Sequence, residues 1–134
     1  MPSVRVETPC FPTESRERVK AALRNLFPDL QFERDDERII GVTRSLERLR
    51  ELLRNQRIRD TARGQLQAGR SGSRTRFSLN KQAATGGLVN FAAPSPLGSI
   101  DVEIEDDDLT AVIDHVAEST VKPRLRPSAR NAGR

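Results

Sequence analysis

Eleven basic side chains crowd residues 44–81, against only three acidic ones, and all of the eleven but Lys81 are arginine. They are the residues best suited to chemistry in this 134-residue chain. A guanidinium offers a planar fork of donors that matches phosphate or carboxylate oxygens two at a time. Spacing puts Arg50, Arg54 and Arg57 on one face of a helix, and Arg59, Arg63 and Arg70 on another. Arg74 and Arg76 project from the wet side of a strand, and Lys81 and Gln82 follow directly after it. Such a surface can follow a polyanion backbone and displace its counterions. Gln82 could add a hydrogen bond to a base. The alternative is internal neutralisation, because residues 82–118 hold eight acidic groups and no basic one.

Other reactive residues give weaker signals. His115 and Cys10 are the only residues of their kinds and have no partner nearby in sequence. No nucleophile–base pair and no zinc spacing follows, so the expectation is a protein without catalytic residues, metal or cofactor. Asp106-Asp107-Asp108 offers oxygen ligands, but three consecutive acids point in different directions and suit the start of a helix better. The glycine pairs match no phosphate-binding loop.

Elements that could position these groups are legible from periodicity. Val4, Val6 and Thr8 alternate with charges as a strand does. Thr13 is placed to cap a helix carrying Val19, Ala22, Leu23 and Leu26 on one face, ended by Pro28. A hairpin follows, with strands at 30–33 and 39–42 and Gly41 as a candidate bulge. Ser45 opens a helix whose apolar stripe, Leu46, Leu49 and Leu53, jumps sides to Ile58, Ala62 and Leu66. That jump predicts two helices, or one sharply kinked helix, with the change near Asn55-Gln56-Arg57. Residues 69–72 read as a loop, 74–80 as a strand, and 88–91 as strand-like. Residues 94–98 read as a rigid proline loop and 100–104 as the clearest strand. Leu109, Val112, Ile113 and Val116 mark a last helix.

The expected fold is therefore α+β, a two-layer sandwich of order βαββααβββα with helices on one face of a mainly antiparallel sheet. Residues 1–117 form the domain, and 118–134, with five basic groups against the single acid Glu118, form a disordered basic tail. No run reaches the roughly 18 apolar residues of a membrane span, and no signal segment is visible, so a cytoplasmic location is expected. Five Phe and no Trp or Tyr leave no obvious stacking platform. The expected ligand is structured RNA, held by backbone and shape. The opposed charges of residues 44–81 and 82–118 also suit a homodimer or a larger assembly without RNA contact.

Several segments carry a family resemblance. They are Pro12-Thr13-Glu14, Asn25-Leu26-Phe27-Pro28, Arg57-Ile58-Arg59-Asp60-Thr61-Ala62-Arg63, Leu79-Asn80-Lys81-Gln82-Ala83-Ala84 and Ser95-Pro96-Leu97-Gly98-Ser99-Ile100. Together they resemble an archaeal family described as RNA-binding proteins or predicted exosome subunits. That family is similar in fold to the large-subunit ribosomal protein that binds 5S rRNA. The resemblance implies archaeal origin, that fold, RNA and RNA-processing subunits as partners, and no catalytic residues. Where relatives often carry an aromatic near His115-Val116, this chain has none.

Overall fold

A computed structural model describes residues 2–93 and 98–118. The proline loop is therefore largely outside the described residues, and so is the basic tail beyond Glu118. The elements run β1 (Ser3–Pro9), α1 (Arg16–Leu26), β2 (Gln31–Asp35), β3 (Arg38–Thr43), α2 (Glu47–Asn55), α3 (Arg59–Ala68), β4 (Arg70–Ser71), β5 (Arg74–Asn80), α4 (Lys81–Thr85), β6 (Ser99–Glu105) and α5 (Leu109–Val116). The strands form one antiparallel sheet in the order β2-β3-β1-β6-β5-β4.

Alternation divides the sheet into two faces. Val4, Val6 and Thr8 of β1, Thr75, Phe77 and Leu79 of β5, and Ile100, Val102 and Ile104 of β6 are all buried. Leu23, Leu26, Leu49, Leu53, Leu66, Leu109 and Ile113 come from the helices to meet them in one core. A core with so few aromatics closes mainly with aliphatic side chains, joined by Phe27 and Phe77. The opposite face carries Arg5, Glu7, Arg74, Arg76, Asp101, Glu103 and Glu105, brought into register by β1–β6 and β5–β6 pairing.

The α2 stripe jump resolves as two helices. Arg57, at φ +59°, is the only described non-glycine residue in the left-handed region, and it turns the chain between α2 and α3. Gln56 fixes this corner from outside: its amide donates to Val89 O at 2.9 Å and accepts from Val89 N at 2.8 Å.

Several expectations need correction. The α1 cap is Ser15, whose hydroxyl accepts from Arg18 N; Thr13 and Glu14 precede the helix. The irregularity of the first hairpin lies on β2 between Phe32 and Arg34, while Gly41 lies flat against Leu30. Leu88–Phe91 forms no strand, only a single bridge from Phe91 to Leu79. Lys81–Thr85, to which periodicity assigned no element, is a helical turn capped by Asn80, which accepts from Ala83 N. Arg70–Ser71, read as loop, pairs with β5 around Gly72 at φ +63°. Two residues are too few for a periodic pattern to reveal.

Candidate nucleic-acid interface

Most of the basic segment meets the acidic segment within the chain. Arg59 pairs with Glu118 at 3.0 Å and Arg63 with Asp114 at 2.7 Å, so α3 is pinned to α5. On the open sheet face Glu103 receives Arg74 at 3.2 Å and Arg76 at 2.9 Å. Arg70 donates to Thr110 Oγ1 at 2.8 Å, and Arg48 pairs with Glu51 one helical turn on. The opposed charges that suggested a dimer are thus matched in part inside one molecule, by Arg59, Arg63, Arg74 and Arg76.

Lys81 is buried more deeply than its charge predicts, at 8% exposure. Its ammonium donates to Pro9 O at 2.7 Å and to both Glu14 oxygens, at 3.0 and 3.2 Å, and it lies 5.4 Å from the centre of the Phe11 ring. Glu14 also accepts from Phe11 N at 3.0 Å. Burial pushes the Glu14 carboxyl upward, but the Phe11 N–H and the Lys81 ammonium together outweigh it and hold it below the usual range. A phosphate could reach Lys81 only by displacing these groups.

What remains is a cluster on the helical layer. Arg50 donates through Nε to the His115 carbonyl at 2.9 Å, so its charge meets no carboxylate. Arg54 and Arg57 form no ion pair among the described residues. His115 itself bonds Glu47 through Nε2 at 2.7 Å. Arg50, Arg54 and Arg57 thus follow one another along α2 into the left-handed corner. They are three of the ten positions picked out in the sequence. Gln82 is exposed on α4 and lines a depression with Asn80, Thr85, Ala92 and Ala93.

That depression adjoins, at Ala92 and Ala93, a larger groove of about 730 Å³ beside the outer edge of β5. Gln65, Phe77, Ser78, Phe91 and Asp101 help line it, and Arg5 and Arg76 stand at its sides. Sequence reasoning missed this groove. Alternation does place Arg5, Arg76 and Asp101 on wet strand faces, but only the strand order β1-β6-β5 makes them neighbours.

The open sheet with a helical layer on one face defines a small α+β domain that carries an unmatched arginine cluster. Over residues 3–106 the chain matches a family model described as RNA binding. A UPF0201 protein of Thermococcus onnurineus is 44% identical over 124 residues, which cover 87% of this chain and 92% of that protein. A UPF0201 protein of Methanothermobacter thermautotrophicus is 41% identical over 127 residues, covering 92% and 96%. The crystal structure of a UPF0201 protein from Methanococcus jannaschii aligns with a TM-score of 0.79 at 38% identity, covering 89% of this chain and 95% of that one. The chain belongs to this archaeal UPF0201 family. No helix among the described residues is long and apolar enough to cross a membrane.

Proposed function

We propose that this protein binds structured RNA without transforming it, holding the phosphate backbone on the α2–α3 surface. The observation that carries the reading is the selective matching of charge. Arg59, Arg63, Arg74, Arg76 and Lys81 each meet a carboxylate, while Arg50, Arg54 and Arg57 meet none. Exposed guanidiniums left unmatched beside matched ones keep their full attraction for an outside anion, and phosphate suits their fork. The family model described as RNA binding supports the choice of polyanion.

Fluorescence anisotropy with a labelled RNA hairpin across salt tests it. The comparison is wild type, Arg50→Gln/Arg54→Gln/Arg57→Asn, and a full-length chain with Lys122, Arg124, Arg126, Arg130 and Arg134 changed to Gln. Asn is chosen at 57 because it tolerates the left-handed backbone. Salt-dependent binding that weakens in the first variant supports the reading. Weakening only in the second moves the binding to the tail, and no binding at low salt refutes it.

A further inference from the structure

We propose that the groove beside β5 receives a single unpaired nucleobase, which gives the protein a preference within structured RNA. This rests on the RNA-binding reading above and names what a different surface of the same molecule would recognise.

The groove has the parts that a base requires. Phe91 is half-buried and packs against Phe77, with ring centres 5.8 Å apart and planes at 56°. The bridge of Phe91 to Leu79, with Ala92 N donating to Ser78 O at 3.0 Å, holds the ring at the sheet edge. A flat aromatic wall of this kind stacks any base. The edge of a base needs donors and acceptors, and two are available. The exposed Gln65 amide makes no hydrogen bond among the described residues, so it can both donate and accept. One Asp101 oxygen accepts from Ser78 Oγ at 2.8 Å and Ser99 Oγ at 3.3 Å. Those bonds orient the carboxylate and leave its other oxygen for an amino group, as acidic side chains accept from the cytosine amino group.

Arg76 supplies the remaining element. Its side chain is 72% exposed, and its ion pair to Glu103 uses Nε, leaving the terminal nitrogens for a phosphate beside the inserted base. The walls carry three carboxylates, from Glu7, Asp101 and Glu103, against Arg5 and Arg76. This balance favours a neutral base with amino donors over a bare phosphate.

The test uses the full-length protein and two hairpins with the same stem, one fully paired and one with a single bulged cytosine. The bulged hairpin is expected to bind about 10-fold more tightly, within the range of one base–aromatic stack. Phe91→Leu, which keeps the packing volume, and Gln65→Ala, at an exposed site, should each cut that advantage below about 3-fold. Neither should change affinity for the paired stem. With 2-aminopurine at the bulge, emission should change on binding wild type and stay unchanged with Phe91→Leu. Equal affinity of wild type for both hairpins overturns the groove proposal and leaves backbone binding intact. Failure to bind either at low salt overturns both.

Discussion

Replacing Lys81 by Met should unfold the protein more easily while leaving the RNA affinity of the folded state unchanged. Met fills the space of the aliphatic stem but removes the ammonium, stranding Pro9 O and Glu14 together. Breaking one side of a buried, charge-assisted pair costs about 3–5 kcal/mol. The Glu14 side chain is 29% exposed, so water recovers part of this and the expected loss is about 2–3 kcal/mol. In urea that moves the midpoint down by roughly 1–2 M. Glu14→Gln should cost only about 1 kcal/mol, because an amide oxygen still accepts from Phe11 N. The double variant should lose less than the two single losses together, by about 1 kcal/mol or more. Acid gives an independent reading. A carboxyl held below its unfolded pKa stabilises the fold above that pKa, and the contribution disappears as pH falls through the folded value. Wild type should therefore lose this contribution as pH falls from the ordinary Glu14 value of 4.5 toward the lower folded value. Without the ammonium the depression shrinks or reverses, so Lys81→Met should lose less stability than wild type over that range, and the gap between the two should narrow in acid. A loss under about 0.5 kcal/mol, or a strictly additive cycle, would refute this account. Weakened RNA binding at a temperature where the variant is folded would refute the inward role of Lys81.

Three further outcomes are expected. Removing the three guanidiniums in Arg50→Gln/Arg54→Gln/Arg57→Asn should reduce the slope of log affinity against log salt by about 2–2.7, or about 20–40-fold less weakening between 50 and 200 mM salt; an unchanged slope excludes that surface. Glu103→Gln should release Arg76, while Arg74 keeps Glu105, and tighten hairpin binding a few-fold at low salt, measured by anisotropy, with the gain fading at high salt. Gly69→Ala should cost at least about 3 kcal/mol in urea unfolding, since its Cβ would lie 1.9 Å from the Arg76 carbonyl oxygen and backbone must move.

The parts of the fold that read clearly in sequence are those whose burial repeats over several residues. β1, β5 and β6 show strict alternation, and α1 and α5 show an unbroken helical stripe. The stripe jump at Asn55-Gln56-Arg57 also had a local cause, the left-handed residue at 57. Short elements escaped. α4 has five residues and is held by the Asn80 cap and by packing on α1, where Asn25 Nδ2 reaches Ala84 O at 2.9 Å. Alternation at 88–91 came from Val89 and Phe91 meeting the core in a loop, without a strand partner along its length. At the interface, residue type and spacing identified all three unmatched arginines. They could not separate these from Arg59, Arg63, Arg74 and Arg76, because that distinction depends on α5 and β6 returning from later in the chain.

That return explains how an arginine-rich segment can serve folding and still leave some arginines for the proposed recognition. Residues 82–118 carry eight acids and no base, so α5 and β6 bring back only negative charge. α5 lies against α2 and α3, and β6 lies between β1 and β5. Arginines that reach acids on or beside those two elements are drawn into the structure, and the attraction adds to the burial of Ile100, Val102, Ile104 and Ile113. Arginines that reach no carboxylate are left unmatched. The separation is geometric: Arg63 faces α5 and is spent on it, whereas Arg54, exposed on α2, forms no ion pair among the described residues. A polyanion should therefore find little attraction on the open sheet face, where Glu103 holds two arginines, and much more on the outer side of the helical layer. Binding by charge and selection by a base then fall on different surfaces, so mutations in one should leave the other intact. The bulged and paired hairpins, measured against the α2 arginines and against Phe91, separate these contributions directly.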